Sequence, residues 1–132
     1  MKKLLAIFLT LALLLTFVGC SAKPAETPDS SDSTTALKSI TVIVVHSDNS
    51  VKTFNYETYE EYLGAVLKKS NLIRGNDGPY GLEITEVDEE TAIYATDKAY
   101  WALYEGENYA MQGIDQTPVV DGRTYKLEYT GA

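Results

Sequence analysis

The chain predicts a β-grasp-like α+β domain, with one helix packed across a mixed or antiparallel sheet and elements in the order ββα followed by further strands. Three observations carry this. A β-branched run, Ile40-Thr41-Val42-Ile43-Val44-Val45, is followed by turn residues and a second alternating run. A single stretch has helical periodicity, and the apolar segments after it read as strands. The chain has 132 residues, which allows one domain of ordinary size.

The elements follow in order. Ser47-Asp48-Asn49-Ser50 is turn chemistry, and Val51 to Tyr56 alternates, so the first two strands form a hairpin. Thr58 with Glu61 three residues on makes a capping box, and Tyr59, Leu63, Val66 and Leu67 then fall on one helical stripe. Lys68 and Lys69 suit the C-terminal dipole. The helix is expected to end near Leu72, before a loop at Gly75-Asn76-Asp77-Gly78-Pro79. Strands are expected at Leu82 to Val87, Ala92 to Ala95, Tyr100 to Glu105 and Thr124 to Tyr129. Turns fall at Asp88-Glu89-Glu90, at Thr96-Asp97, around Gly106, and at Asp121-Gly122.

The segment before this domain has its own logic. Met1-Lys2-Lys3 precedes an uncharged run, Leu4 to Val18, which is too short for a span of ~20 residues and right for a signal-peptide core. It closes on Phe17-Val18-Gly19-Cys20, which resembles the lipobox of bacterial lipoproteins, although Phe17 stands where Leu is usual. The resemblance implies a signal peptide over 1–19, an acylated Cys20 anchored in membrane lipid, and an extracytoplasmic location on the cell membrane. One acyl chain binds membranes marginally, so a diacylglyceryl-type modification supplies the second chain a stable anchor needs. A plain secretory signal with an incidental cysteine is the competing reading. Against it, this is the chain's one cysteine, and it stands where acylation requires it. The segment 20–36, rich in Ser, Thr, Pro and acids, is expected to be a disordered tether with a reach of about 20–25 Å. The folded domain is then 37–132.

Composition excludes several functions. A net charge of −8 speaks against nucleic acid, whose phosphates need clustered Lys and Arg. One cysteine rules out an intrachain disulfide and any multi-cysteine metal centre. His46 is the only histidine, and alternation places it on the face of Ile40, Val42 and Val44, as a packing or strand-end residue rather than a base. No nucleophile elbow, phosphate loop or paired-histidine metal motif is present. The chain is therefore expected to be no enzyme and to need no cofactor. Glu83, Glu86, Asp88, Glu89 and Glu90 crowd one stretch, but without a calcium-loop pattern they read as a solvated turn.

Aromatic residues are the informative excess. Tyr94, Tyr100, Trp101, Tyr104 and Tyr109 lie within sixteen residues, with Met111 beside them. On a strand, Tyr100, Ala102 and Tyr104 share one face, and Trp101 and Leu103 the other. One face packs on the helix, and the opposite one offers rings to solvent or to a ligand. Filling a small core is an equally good account of the same composition.

Lys98-Ala99-Tyr100-Trp101-Ala102-Leu103-Tyr104-Glu105-Gly106, then Gly113, then Asp121-Gly122 before a closing aromatic strand, resembles the C-terminal β-domain of transcobalamin and intrinsic factor. The similarity spans about Ser39 to Thr130, and stand-alone bacterial lipoprotein forms carry it. In those the turn after the Trp strand is commonly Asn-Gly, where this chain has Glu105-Gly106. The resemblance implies a β-grasp-like fold and a surface of Tyr100, Trp101, Tyr104, Gly106, Tyr109, Met111 and Gly113 that meets a flat ligand such as a corrinoid. The α-helical barrel that covers the other side in the vertebrate carriers is missing. Two functions remain: a lipid-anchored module for a small planar ligand, or a surface module that contacts an envelope protein.

Overall fold

The structure, a computed structural model, describes residues 36–131. The expected signal peptide, Cys20 and all of the tether except Ala36 lie outside the described residues. Strands β1 (Lys38–Val45) and β2 (Val51–Thr58) form the expected hairpin. Its turn closes through His46 N–H to Ser50 O and Asn49 N–H to His46 O, at 2.9 and 3.0 Å, with Asn49 at φ 65°. Helix α1 (Leu63–Lys69) follows, then β3 (Ile73–Gly78), β4 (Gly81–Val87), β5 (Glu90–Thr91), the four-residue helix α2 (Tyr94–Asp97), β6 (Ala99–Glu105), β7 (Asn108–Tyr109) and β8 (Thr124–Gly131). Five strands make one sheet in the order β2-β1-β8-β6-β7, with β1 and β8 parallel; β3-β4-β5 make a second.

The β-grasp expectation is overturned: the domain is mostly β, two sheets with two short helices, and not a ββα grasp. Helix α1 cannot cover the large sheet. Seven residues give about 10 Å of helix, whereas five strands spread over roughly 19 Å. The β3–β4 hairpin supplies the missing cover, so that Ile73 and Val87 join Val66 and Leu67 in one core with Val42, Val44, Tyr125 and Leu127.

The composition of this second hairpin conceals it. Gly75-Asn76-Asp77-Gly78 reads as a loop, yet these residues pair with β4 around an irregularity at Arg74/Gly75. A side chain at Gly75 would place Cβ 2.0 Å from Glu83 O, so glycine there permits a close strand contact. The turn that remains is Pro79-Tyr80.

The capping box also fails. Thr58 Oγ1 accepts the N–H of Glu60 at 3.0 Å, and the helix starts only at Leu63, after Tyr62. Its first amides are met by a distant loop instead: Leu63 N–H donates to Thr117 O and Gly64 N–H to Ile114 O. Tyr59 is consequently exposed and leaves the stripe, while Leu63, Val66 and Leu67 are buried as expected. The helix ends at Lys69, and Asn71 takes a left-handed turn that returns Leu72 to the core. Ala92 to Ala95 is not a strand. The chain turns into α2 there, held by the Asp97 carboxylate accepting Ile93 N–H at 2.8 Å.

Candidate functional site

Strand β6 alternates as its sequence suggests. Trp101 and Leu103 are buried in the core, whereas Tyr100 is 40% exposed. Its outer edge is covered only at one end. Strand β7 pairs with Tyr104 and Glu105, and Ala110 N–H donates to Leu103 O at 2.9 Å. Strand β4 repeats the pattern, because β5 pairs with Glu86 and Val87 and Ala92 N–H caps Thr85 O. Between the two uncovered stretches lies a cleft of about 250 Å³. Leu82 and Ile84 form one wall, and Tyr100, Trp101 and Leu103 the other. Tyr94 and Ala92 close one end, and Tyr109, Gly113 and Ile114 the other.

The expected ligand residues divide accordingly. Tyr100, Trp101, Tyr109 and Gly113 line the cleft. Gly106 and Met111 line a neighbouring hollow that shares Tyr109, with Met111 94% exposed and Gly106 serving the turn at φ 63°. Tyr104 lines neither. Its ring is instead edge-on to Tyr109 at 5.5 Å and beneath Lys126 Nζ at 4.1 Å.

Trp101 is the best-fixed ring. It packs edge-to-face with Tyr129 at 5.6 Å and with His46 at 6.2 Å, and its indole N–H is buried without an acceptor. Leaving such a donor unmet costs about 1–3 kcal/mol. Leu82, Ile84 and Ile114 are cleft residues that the sequence pattern does not single out, whereas Tyr94 belongs to its aromatic cluster but not to the ligand surface expected from it. Alternation along Leu82 to Val87 marks Leu82 and Ile84 as one face, but no local signal brings β4 against β6.

The wall carrying Gly113 and Ile114 is tied down by Asp115. Its Oδ2 accepts Leu82 N–H at 3.0 Å, and its Oδ1 pairs with Lys68 Nζ at 2.9 Å. One carboxylate thus joins α1, β4 and the cleft loop. His46 lies at the end of β1 and outside the cleft. Among the described residues no group of three or more His, Cys, Asp and Glu side chains forms a metal cage, and no helix is long and apolar enough to cross a membrane.

Neither a family model nor a curated protein matches the chain. Among solved structures, a protein of Ruminococcus gnavus ATCC 29149, proposed to bind metal, is 41% identical, over 72% of this chain and 98% of that one, with a TM-score of 0.69. This chain belongs to that protein's family. Haptocorrin, solved in complex with Cbi, superposes with a TM-score of 0.63 at 19% identity, over 73% of this chain and 25% of haptocorrin. The haptocorrin match supports the transcobalamin-like resemblance at the level of fold. Both neighbours are consistent with a binding module.

Proposed function

We propose that the domain is an extracytoplasmic, lipid-anchored module that binds the edge of a flat ligand of the corrinoid class in the β4–β6 cleft. The observation that carries this is the aromatic wall, where Tyr94, Tyr100, Trp101 and Tyr109 meet in one hollow between uncovered strand edges. Tyrosines supply contact area with few rotors to freeze. A fold shared with haptocorrin in its Cbi complex supports the ligand class. A cleft of about 250 Å³ is smaller than the ~300–1,000 Å³ of pockets that bury a drug-sized ligand. The macrocycle therefore lies across the mouth, and tight capture needs a second covering body.

The test is a titration of the tether-free domain, 37–132, with cobinamide, following the fluorescence of Trp101, the only tryptophan. Saturable quenching at micromolar ligand is expected. No response up to about 1 mM, where binding is worth only ~4 kcal/mol, overturns the reading. The anchor has its own test: Cys20→Ala should move the protein from the membrane fraction to the soluble one, and retention would refute the lipoprotein assignment.

The same two uncovered edges favour a second reading, an envelope-protein module that captures an extended segment by strand addition. It predicts binding of a partner peptide that persists when Tyr100 is truncated, because main-chain groups would carry it.

A further inference from the structure

His46 stands apart from the cleft residues in an arrangement that packing alone leaves incomplete. Only a tenth of its side chain is exposed. Its Nδ1 lies 2.6 Å from Glu90 Oε2, and the other oxygen of that carboxylate accepts the Ser47 hydroxyl. On the other side of the ring, Nε2 is 3.1 Å from Asp88 Oδ2 and yet has no hydrogen-bond partner. That oxygen lies off the direction in which a ring N–H would donate. Lys52 Nζ sits 2.5 Å from the same oxygen on a side chain that is 58% exposed.

We propose that His46 Nε2 and Asp88 Oδ2 hold a divalent transition-metal ion of the zinc class, with Glu90 orienting the imidazole and water completing the shell. Glu90 on Nδ1 selects the tautomer whose lone pair is on Nε2, which is the second-shell arrangement of metal-ligating histidines. The separation also fits: two ligands about 2.1 Å from one ion and about 90–110° apart lie roughly 3.0–3.4 Å from each other. Imidazole with carboxylate favours zinc, cobalt, nickel or copper over magnesium and calcium. The Lys52 ammonium shows that this oxygen already draws a cation, and an exposed side chain can swing aside for a divalent one. Two protein ligands make an open site rather than a cage, so its affinity is modest. The proposal is independent of the cleft reading, since no corrinoid enters it.

Trp101 reports on this site, because its ring meets that of His46. The metal-free full chain, in detergent, is titrated with Co(II) while tryptophan emission is followed. Saturable quenching that excess Zn(II) reverses is the expected result. His46→Gln should shift the midpoint at least tenfold, and Glu90→Gln by about 10–100-fold. Lys52→Gln should tighten binding by removing the competing cation. Where His46→Gln does not fold, Lys52→Gln, on an exposed side chain, decides the matter: an unchanged or weaker midpoint overturns the shared-oxygen geometry. Absence of quenching up to about 1 mM Co(II), or an equal midpoint in folded His46→Gln, overturns the site altogether.

Discussion

Gly64→Ala should destabilise the domain, although it replaces glycine inside a helix with the best helix former. On propensity alone the change gains up to ~1 kcal/mol. The structure reverses the sign. An added Cβ would lie 2.2 Å from Asp115 Oδ1 and 3.1 Å from Asp115 Cα. The carboxylate must rotate away, and the Leu82 N–H and Lys68 Nζ then lose their acceptor. A hydrogen bond to a charged group contributes about 1.5–3 kcal/mol, and a half-exposed ion pair about 0–1. After the propensity gain is subtracted, the expected loss is about 1–3 kcal/mol, at roughly 4–8 °C in Tm per kcal/mol for a domain of this size. Thermal unfolding followed by circular dichroism reads it directly. In an Asp115→Ala background the same substitution should be neutral within about 0.5 kcal/mol, since the clashing carboxylate is gone and the remaining 3.1 Å approach to the backbone at 115 offsets the propensity gain. A raised Tm for the single variant, or strictly additive effects in the double one, would refute the reasoning.

Tyr125→Phe removes a buried phenol that donates to Pro118 O at 2.7 Å and accepts from Val120 N–H at 3.0 Å. Orphaning those two groups should cost about 1–3 kcal/mol in chemical denaturation. Burial, the largest cause, raises this phenol above its ordinary value of 10.0, against the opposing Val120 N–H. The neutral form is thus favoured in the fold. Its contribution is intact below about pH 10 and is lost as pH rises through the raised value, so an alkaline loss of stability present in the wild type should be smaller in Tyr125→Phe. Tyr100→Ala, at a cleft-lining and 40% exposed ring, should weaken cobinamide binding at least several-fold with Tm nearly unchanged. Tyr104→Ala, at a ring that does not line the cleft and that packs against Lys126 and Tyr109, should affect Tm more than affinity.

What is legible in the sequence is what local patterns encode. The hairpin of β1 and β2, the opposite faces taken by Trp101 and Tyr100, and the half-buried β8 all follow from a period of two, whereas which face of β6 is covered is set by the packing of the second hairpin. What is not legible depends on partners far along the chain. Strand β3 is Gly-Asn-Asp-rich and is a strand only because β4 lies against it closely enough to require Gly75. Thr58 and Glu61 have the spacing of a capping box, but the loop at Ile114 to Thr117 satisfies the helix amides first. The acid cluster reads locally as a solvated turn. Positive φ at Asp88 and Glu89 instead accompanies a turn whose Asp88 and Glu90 carboxylates flank His46, more than forty residues earlier. The cleft itself has no local signature, since it exists where two short strands, β5 and β7, stop covering longer neighbours.

That origin constrains what the site can do. Uncovered strand edges carry main-chain donors and acceptors that either stay hydrated or find a partner. The walls between them are aromatic and aliphatic, with the side chains of Leu82, Ile84 and Trp101 held in or against the core. Such a slot suits something thin, with an apolar face and polar ends: the rim of a macrocycle or an extended peptide. Among the described residues the cleft has walls and no lid, so whatever enters is open to water on its far side. A body that covered the proposed site would meet an acidic surface, for the residues 37–132 carry 16 Asp and Glu against 8 Lys and Arg. A neutral or basic partner face is favoured and an acidic one is repelled, which makes salt-dependent association the physical signature of a completed site.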